Sequence, residues 1–170
     1  MIERLHAGEG SRLRAVRLRA LEDAPDAFAT TLEQASAWGP ERWEAQVQHL
    51  PTFVWRGADA DLGMVRCAPH DGDPEAIYLI SMWVAAEARG RGIGTALVRA
   101  VVAWARELGA RRLVLDVGVR NVAARRLYER HGFMESGVMG ALPPPRAHVR
   151  ELEMVLELQS TSAGGAVASA

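Results

Sequence analysis

Residues 77–95, IYLISMWVAAEARGRGIGT, constrain the fold more than any other part of this chain. Their first half is β-branched and aromatic and reads as a buried strand. Gly90, Gly92 and Gly94 then interrupt the run, and after Thr95 the sequence resumes as Ala96, Leu97 and Val98, a helix start. A strand, a glycine-rich turn and a helix in that order form an anion site. The glycines let backbone amides converge and let the main chain approach a ligand, while the first helical turn adds unpaired N–H donors and a partial positive charge.

Spacing decides which phosphate ligand is meant. A P-loop ends in Gly-Lys followed by Ser or Thr, and this chain has no lysine. The dinucleotide fingerprint G-x-G-x-x-G fails by one position: counting from Gly90, its third glycine belongs at Thr95 rather than at Gly94. What remains is Arg89-x-x-Gly92-x-Gly94. Here the chain resembles the GNAT superfamily of N-acetyltransferases, whose signature is Arg or Gln, two residues, Gly, one residue, then Gly or Ala, and whose loop holds the pyrophosphate of acetyl-CoA. The resemblance implies that Arg89, Gly90, Arg91, Gly92, Ile93, Gly94 and Thr95 bind the cofactor phosphates. It further implies that the backbone of Met82, Trp83 and Val84 pairs with the pantetheine amides as an added strand does.

A second block, Asn121-x-x-Ala124-x-x-Leu127-Tyr128-x-x-x-Gly132-Phe133, is similar to the other signature of the same family. By that resemblance Asn121 touches the pantetheine arm and Tyr128 is the general acid to the departing thiolate. Arg126, with Arg125 beside it, is placed to meet the cofactor's 3′-phosphate, although an exposed helix face accounts for both equally well. The chemistry asks for such groups, because amine attack on a thioester develops charge first on the carbonyl oxygen and then on sulfur. Taken alone, Tyr128 would read as a core residue and Asn121 as a helix N-cap. An ammonium acceptor must also lose a proton, and Glu33, Asp116, Glu151 and Glu153 are the candidate bases. Phe28, Glu33, Trp38 and the Pro143-Pro144-Pro145 loop border the expected acceptor site.

Along the chain, residues 2–6 alternate as a short strand, and a helix with Ser11 as N-cap runs to Pro25. Thr30 and Glu33 have capping-box spacing for a short helix, and Pro40 opens another with Trp43, Val47 and Leu50 on one face. Residues 53–55 and 62–65 read as a hairpin and residues 68–74 as a turn. After the glycines, Leu97, Val101, Trp104 and Leu108 share a helix face that ends at Gly109. Residues 113–117 then form a strand parallel to the central one, since the intervening helix is a right-handed crossover. A helix over residues 121–131, a strand from Phe133, a proline loop and a strand over residues 149–158 complete the order. The expected fold is α/β (α+β), a mixed, twisted sheet of six to seven strands flanked by helices and splayed at the cofactor. Residues 1–158 are expected to be one acyltransferase domain and residues 159–170 a disordered tail.

Composition narrows the function further. A net charge of -1 with both signs dispersed gives no nucleic-acid surface and no polybasic membrane patch. The single cysteine, Cys67, excludes an internal disulfide and argues against a metal site. With no apolar leader visible, a cytoplasmic location is expected, for a monomer or homodimer. The main expectation is an acetyl-CoA-dependent N-acetyltransferase with a small-molecule or peptide amine as acceptor and no metal. Two alternatives stand beside it. One is an acyl-CoA-binding sensor without turnover, and the other a dinucleotide-binding oxidoreductase that would use Asp116 on a ribose.

Overall fold

The computed structural model describes residues 1–158; the expected tail at residues 159–170 lies outside them. The elements are β1 (Ile2–Arg4), α1 (Gly10–Asp23), a 3-10 turn (Pro25–Ala27), α2 (Leu32–Ser36), α3 (Pro40–His49), β2 (Thr52–Arg56) and β3 (Asp61–Pro69), followed by β4 (Ala76–Val84), α4 (Ile93–Glu107), β5 (Arg112–Gly118), α5 (Val122–Arg130), β6 (Met134–Ala141) and β7 (Arg150–Glu157). All the strands join one seven-stranded sheet in the order β1-β2-β3-β4-β5-β7-β6. Among the described strands only the β4–β5 pair is parallel. A doubly wound nucleotide fold needs a mostly parallel sheet, so this order removes the oxidoreductase alternative.

Helix α4 lies against one face of the sheet. Gly63 is the reason it can, since a Cβ there would stand 3.0 Å from Ile93 and 3.1 Å from Leu97. Helices α1 and α3 cover part of the other face and pack on each other through Gly10, where a Cβ would meet the Glu44 backbone at 2.8 Å. That close approach corrects the expected start of α1. Its N-cap is Glu9 rather than Ser11, and the Glu44 carboxylate accepts hydrogen bonds from the amides of Gly8 (2.6 Å) and Gly10 (3.1 Å).

Other expectations shift for local reasons. The capping box forms one residue later than its spacing suggested, between Thr31 and Gln34, which leaves Glu33 exposed and without a capping role. Leu108 is 61% exposed because α4 ends on it, and Ala105 with Val98 completes the buried face instead. Ala68 and Pro69 belong to β3, not to a turn, since they pair with Tyr78 and Ile77. The strand expected to be fully buried, β4, buries Ala76, Leu79 and Trp83, whereas Tyr78, Ile80, Ser81 and Met82 are half-buried. Those four residues line a cleft, which is why an apolar strand carries such exposure.

Candidate active site

The cleft begins where two strands part. β4 and β5 pair at Ala76–Arg112, Ile77–Leu113 and Tyr78–Val114 and no further. Beyond that point β4 stays with β3 to Val84, and β5 stays with β7 to Gly118. The facing edges of the two strands therefore carry backbone groups outside any ladder, a condition that invites a ligand to pair with them. A β-bulge adds to this. Val65 of β3 faces both Ser81 and Met82 of β4, and Ser81 has φ of 57°, a left-handed conformation uncommon for a residue with a side chain.

The glycine turn sits just past the end of β4. Gly90 and Gly92 have φ of 76° and 78°, and an added Cβ at either would meet nothing within 4 Å, so both face open space. Gly92 is the N-cap of α4, whose first internal hydrogen bond runs from the Ala96 amide to the Gly92 carbonyl at 3.0 Å. The amides of Ile93, Gly94 and Thr95 precede that ladder and form a donor cluster with the helix dipole behind it. Gly94 has another duty: a Cβ there would lie 3.0 Å from Leu127, so its absence lets α4 and α5 approach.

Arg89 folds back rather than reaching outward. Its Nε donates to the Val84 carbonyl at 3.0 Å and its Nη2 donates to Asp23, which also accepts from Trp83 Nε1 at 2.9 Å. Asp23 thus ties the C-terminal end of α1 to the end of β4 and to the turn. Arg91 and Arg126 are exposed, and Arg125 is held by Glu135 at 2.6 Å.

A cleft of about 1350 Å³ runs from this opening to the α1–α3 side of the sheet. Phe28, Trp38, Ser81, Met82, Asn121 and Tyr128 line it, together with Asp116 and Glu151. Glu33 does not, and Glu153 is held by the Ser136 hydroxyl at 2.6 Å. Asn121 caps α5 by accepting from the Ala124 amide at 3.1 Å while also facing the cleft. Tyr128 is 4% exposed and packs on Phe133 at 5.6 Å between ring centroids. Burial alone raises its phenol pKa, so the hydroxyl keeps its proton across the neutral range.

Asp116 and Glu151 share one sheet face, since Asp116 pairs with Glu153 and Gly118 with Glu151 across β5 and β7. Desolvation raises both carboxyl pKa values first. Glu153 then adds to the rise at Asp116, which His70 opposes, and Asp116 adds to the rise at Glu151. Raised carboxylates are better proton acceptors at neutral pH than free ones. Cys67 is fully buried, and burial pushes its thiol up to about 12, so it offers no thiolate nucleophile. No three His, Cys, Asp or Glu side chains among the described residues gather in a metal-binding group, and none of the described helices is long and apolar enough to cross a membrane.

The sequence resemblance had named the turn and Tyr128 but not Arg17, Arg66 or Gln46, which also line the cleft. Arg17 looks like one more basic residue on an arginine-rich helix, and Arg66 sits unremarked in a strand. Only the packing of α1 over β3 brings them to the cavity.

A splayed parallel pair beside a glycine turn and a helix N-terminus suits a ligand with an extended, amide-bearing arm and an anionic end. The model of the acetyltransferase (GNAT) family matches residues 17–133, and the chain belongs to that family. It is 35% identical over 104 residues to streptothricin acetyltransferase of Streptomyces lavendulae, covering 61% of this chain and 55% of that one. It is 34% identical over 149 residues to mycothiol acetyltransferase of Geodermatophilus obscurus, covering 79% of this chain and 48% of that enzyme. The chain thus spans about half the length of these curated relatives. In fold it is similar to a GNAT-family acetyltransferase from Streptococcus pneumoniae, with a TM-score of 0.80 at 20% identity over 94% of this chain and 99% of the other.

Proposed function

We propose that this chain is a cytoplasmic N-acetyltransferase that moves the acetyl group of acetyl-CoA to a primary amine by direct attack on the thioester. The gap between β4 and β5 beyond Tyr78 and Val114 carries this reading. Its unladdered edges suit the amides of a pantetheine arm, with the backbone of Met82, Trp83 and Val84 supplying one side. The pyrophosphate would lie on the amides of residues 92–95, in the space that Gly90 and Gly92 leave open, with Arg91 and Arg126 exposed nearby for phosphate contact. Arg89 acts by fixing the turn, since Asp23 and the Val84 carbonyl already hold its guanidinium.

In the transfer, the ammonium first gives a proton to Asp116 or Glu151, directly or through water. The free amine then attacks the carbonyl carbon. As the C–N bond forms, the oxygen gains negative charge, and the reading gives its stabilisation to a backbone N–H of the Ser81–Met82 bulge, where the β3–β4 register is interrupted. The C–S bond then breaks, the departing thiolate takes the Tyr128 proton, and the proton that the new amide nitrogen sheds passes through water to restore the phenol. With Cys67 buried away from the cleft, no acetyl-enzyme is required.

The acceptor occupies the α1–α3 side, between Phe28 and Trp38. Glu33 is exposed and lies outside the cleft, so neither the base nor the acceptor role falls to it. A sensor that binds acyl-CoA without turnover would have no use for a buried phenol in the cleft. Thermal-shift titration with acetyl-CoA and with NAD tests the cofactor assignment: acetyl-CoA should raise the unfolding temperature in a saturable way and NAD should not. The reverse order would contradict it.

A further inference from the structure

Two arginines in the acceptor half of the cleft have no acid paired with them among the described residues. Arg17 of α1 and Arg66 of β3 keep only 5% and 4% of their surface, and both line the cleft. A guanidinium buried to that degree is normally neutralised by a carboxylate, because removing a charge from water without compensation is costly. None of the ion pairs among the described residues includes either one. The guanidinium of Arg17 stacks 4.4 Å over the Phe28 ring, and its Nη1 has no hydrogen-bond partner among the described residues. Arg66 donates from Nη2 to Gln46 Oε1 at 2.7 Å, while its Nε likewise lacks a partner. Burial first, and then the charge of Arg66, lower the Arg17 pKa to about 9, and burial lowers that of Arg66 to about 10; both remain charged at pH 7.

The strand register places Arg66 opposite the carboxylates. Arg66 pairs with Ile80, and Ile80 shares a face with Tyr78, which pairs with Val114; Asp116 is two residues beyond Val114 on that same face. Arg66 and the acids therefore face one side of the sheet from opposite banks of the β4–β5 gap, and Arg17 of α1 lines the same cleft, close enough to Arg66 to be repelled by it. An acceptor amine belongs on the acidic bank. Something negative belongs on the other.

We infer that the acceptor is an amine carrying its own oxyanion, a carboxylate or a phosphate, which Arg17 and Arg66 bind while the amine faces Asp116 and Glu151. The inference rests on the transferase reading and narrows its substrate class. The planar donor fork of arginine matches both oxyanions, and Arg17 Nη2 and Arg66 Nη1, which are not among the occluded atoms, make no side-chain hydrogen bond among the described residues and remain as donors. Such an anion also removes the repulsion between the two cations.

Titration calorimetry in the presence of CoA tests this without turnover. The probes are the L-amino acids against their carboxamides, and ethanolamine phosphate and glucosamine 6-phosphate against ethanolamine and glucosamine. At least one anionic probe should bind about 10-fold or more tightly than its neutral partner, as expected for a charge-assisted hydrogen bond. The carboxylate and phosphate arms then tell which oxyanion is preferred. Arg17→Met and Arg66→Met should each erase most of that preference, lowering the affinity of the anionic probe far more than that of its neutral partner. Arg17→Met should also unfold at or above the wild-type temperature, since it removes an uncompensated buried charge but keeps the stem. Neutral probes binding as well as anionic ones, a preference that survives both variants, or a marked fall in the unfolding temperature of Arg17→Met would each overturn the inference. Acetyl-CoA is titrated separately. If it binds and no anion preference is found, this inference alone fails; if it does not bind, the transferase reading fails and takes the inference with it.

Discussion

Tyr78 pairs with Val114, and that pair is the last in the parallel ladder between β4 and β5. Beyond it β4 pairs with β3, apart from the bulge at Ser81 and Met82, and β5 pairs with β7. The opening is therefore a property of the sheet's connectivity rather than of a loop. A ligand strand entering it meets backbone donors and acceptors already in place.

The first prediction concerns the phenol that lines this opening. Tyr128→Phe keeps the packing on Phe133 and should bind acetyl-CoA as the wild type does, while kcat falls about 10²-fold or more, the range for losing a positioned acid. Steady-state kinetics beside acetyl-CoA titration separate the two effects. Wild-type kcat would leave water as the proton source.

The glycine turn gives a graded test. At Gly92 a Cβ meets no atom, but φ of 78° strains any other residue, so Gly92→Ala should cost about 1 kcal/mol through the backbone alone. Gly92→Asp adds a negative charge toward the pyrophosphate and should abolish acetyl-CoA binding in a folded protein. Equal affinities of the two variants, measured by calorimetry, would show that charge at this position is irrelevant.

The acidic bank makes a prediction in pH. Asp116 and Glu151 titrate above their ordinary values in the fold, chiefly by desolvation. The folded state then holds protons that the unfolded state has released, so these groups favour folding below the unfolded pKa values and lose that contribution as pH rises through the folded ones. Glu151→Gln should therefore raise the unfolding temperature at pH 7 relative to wild type, with the difference closing toward pH 4. In kinetics, kcat/KM of the wild type should rise with pH through a limb that belongs to the base. The base is whichever of Asp116→Asn and Glu151→Gln removes that limb.

Asp23 supports the site from outside it. Asp23→Ala would leave Trp83 Nε1 without its acceptor and release Arg89, and should lower stability by about 1–2 kcal/mol. The KM for acetyl-CoA should rise with it, because the turn loses its anchor. A denaturant titration and a KM measurement check both parts, and an unchanged KM would mean that the turn is held by α4 alone.

What the sequence could show of this follows from how local each signal is. The glycine turn, the capping role of Asn121 and the crossover between β4 and β5 depend on neighbours in the chain, and spacing alone exposes them. The β4 bulge at Ser81 was not legible, because it exists only relative to Val65 on another strand. The same holds for Glu9 replacing Ser11 as the cap of α1, which depends on Glu44 from a helix more than 30 residues away. Arg17 and Arg66 are the plainest case. Each is one arginine among 20 basic residues until the fold buries both in one cavity.

The central claim is transfer, and amine-dependent release of CoA tests it most directly. The protein is mixed with acetyl-CoA and a broad panel of primary amines, and free thiol and N-acetylated product are measured together. The account predicts thiol release that requires both protein and amine, with one acetylated amine formed per thiol and the rate collapsing in Tyr128→Phe. Saturable acetyl-CoA binding with no amine-dependent thiol release across the panel would contradict it and leave a module that binds acyl-CoA without turning it over.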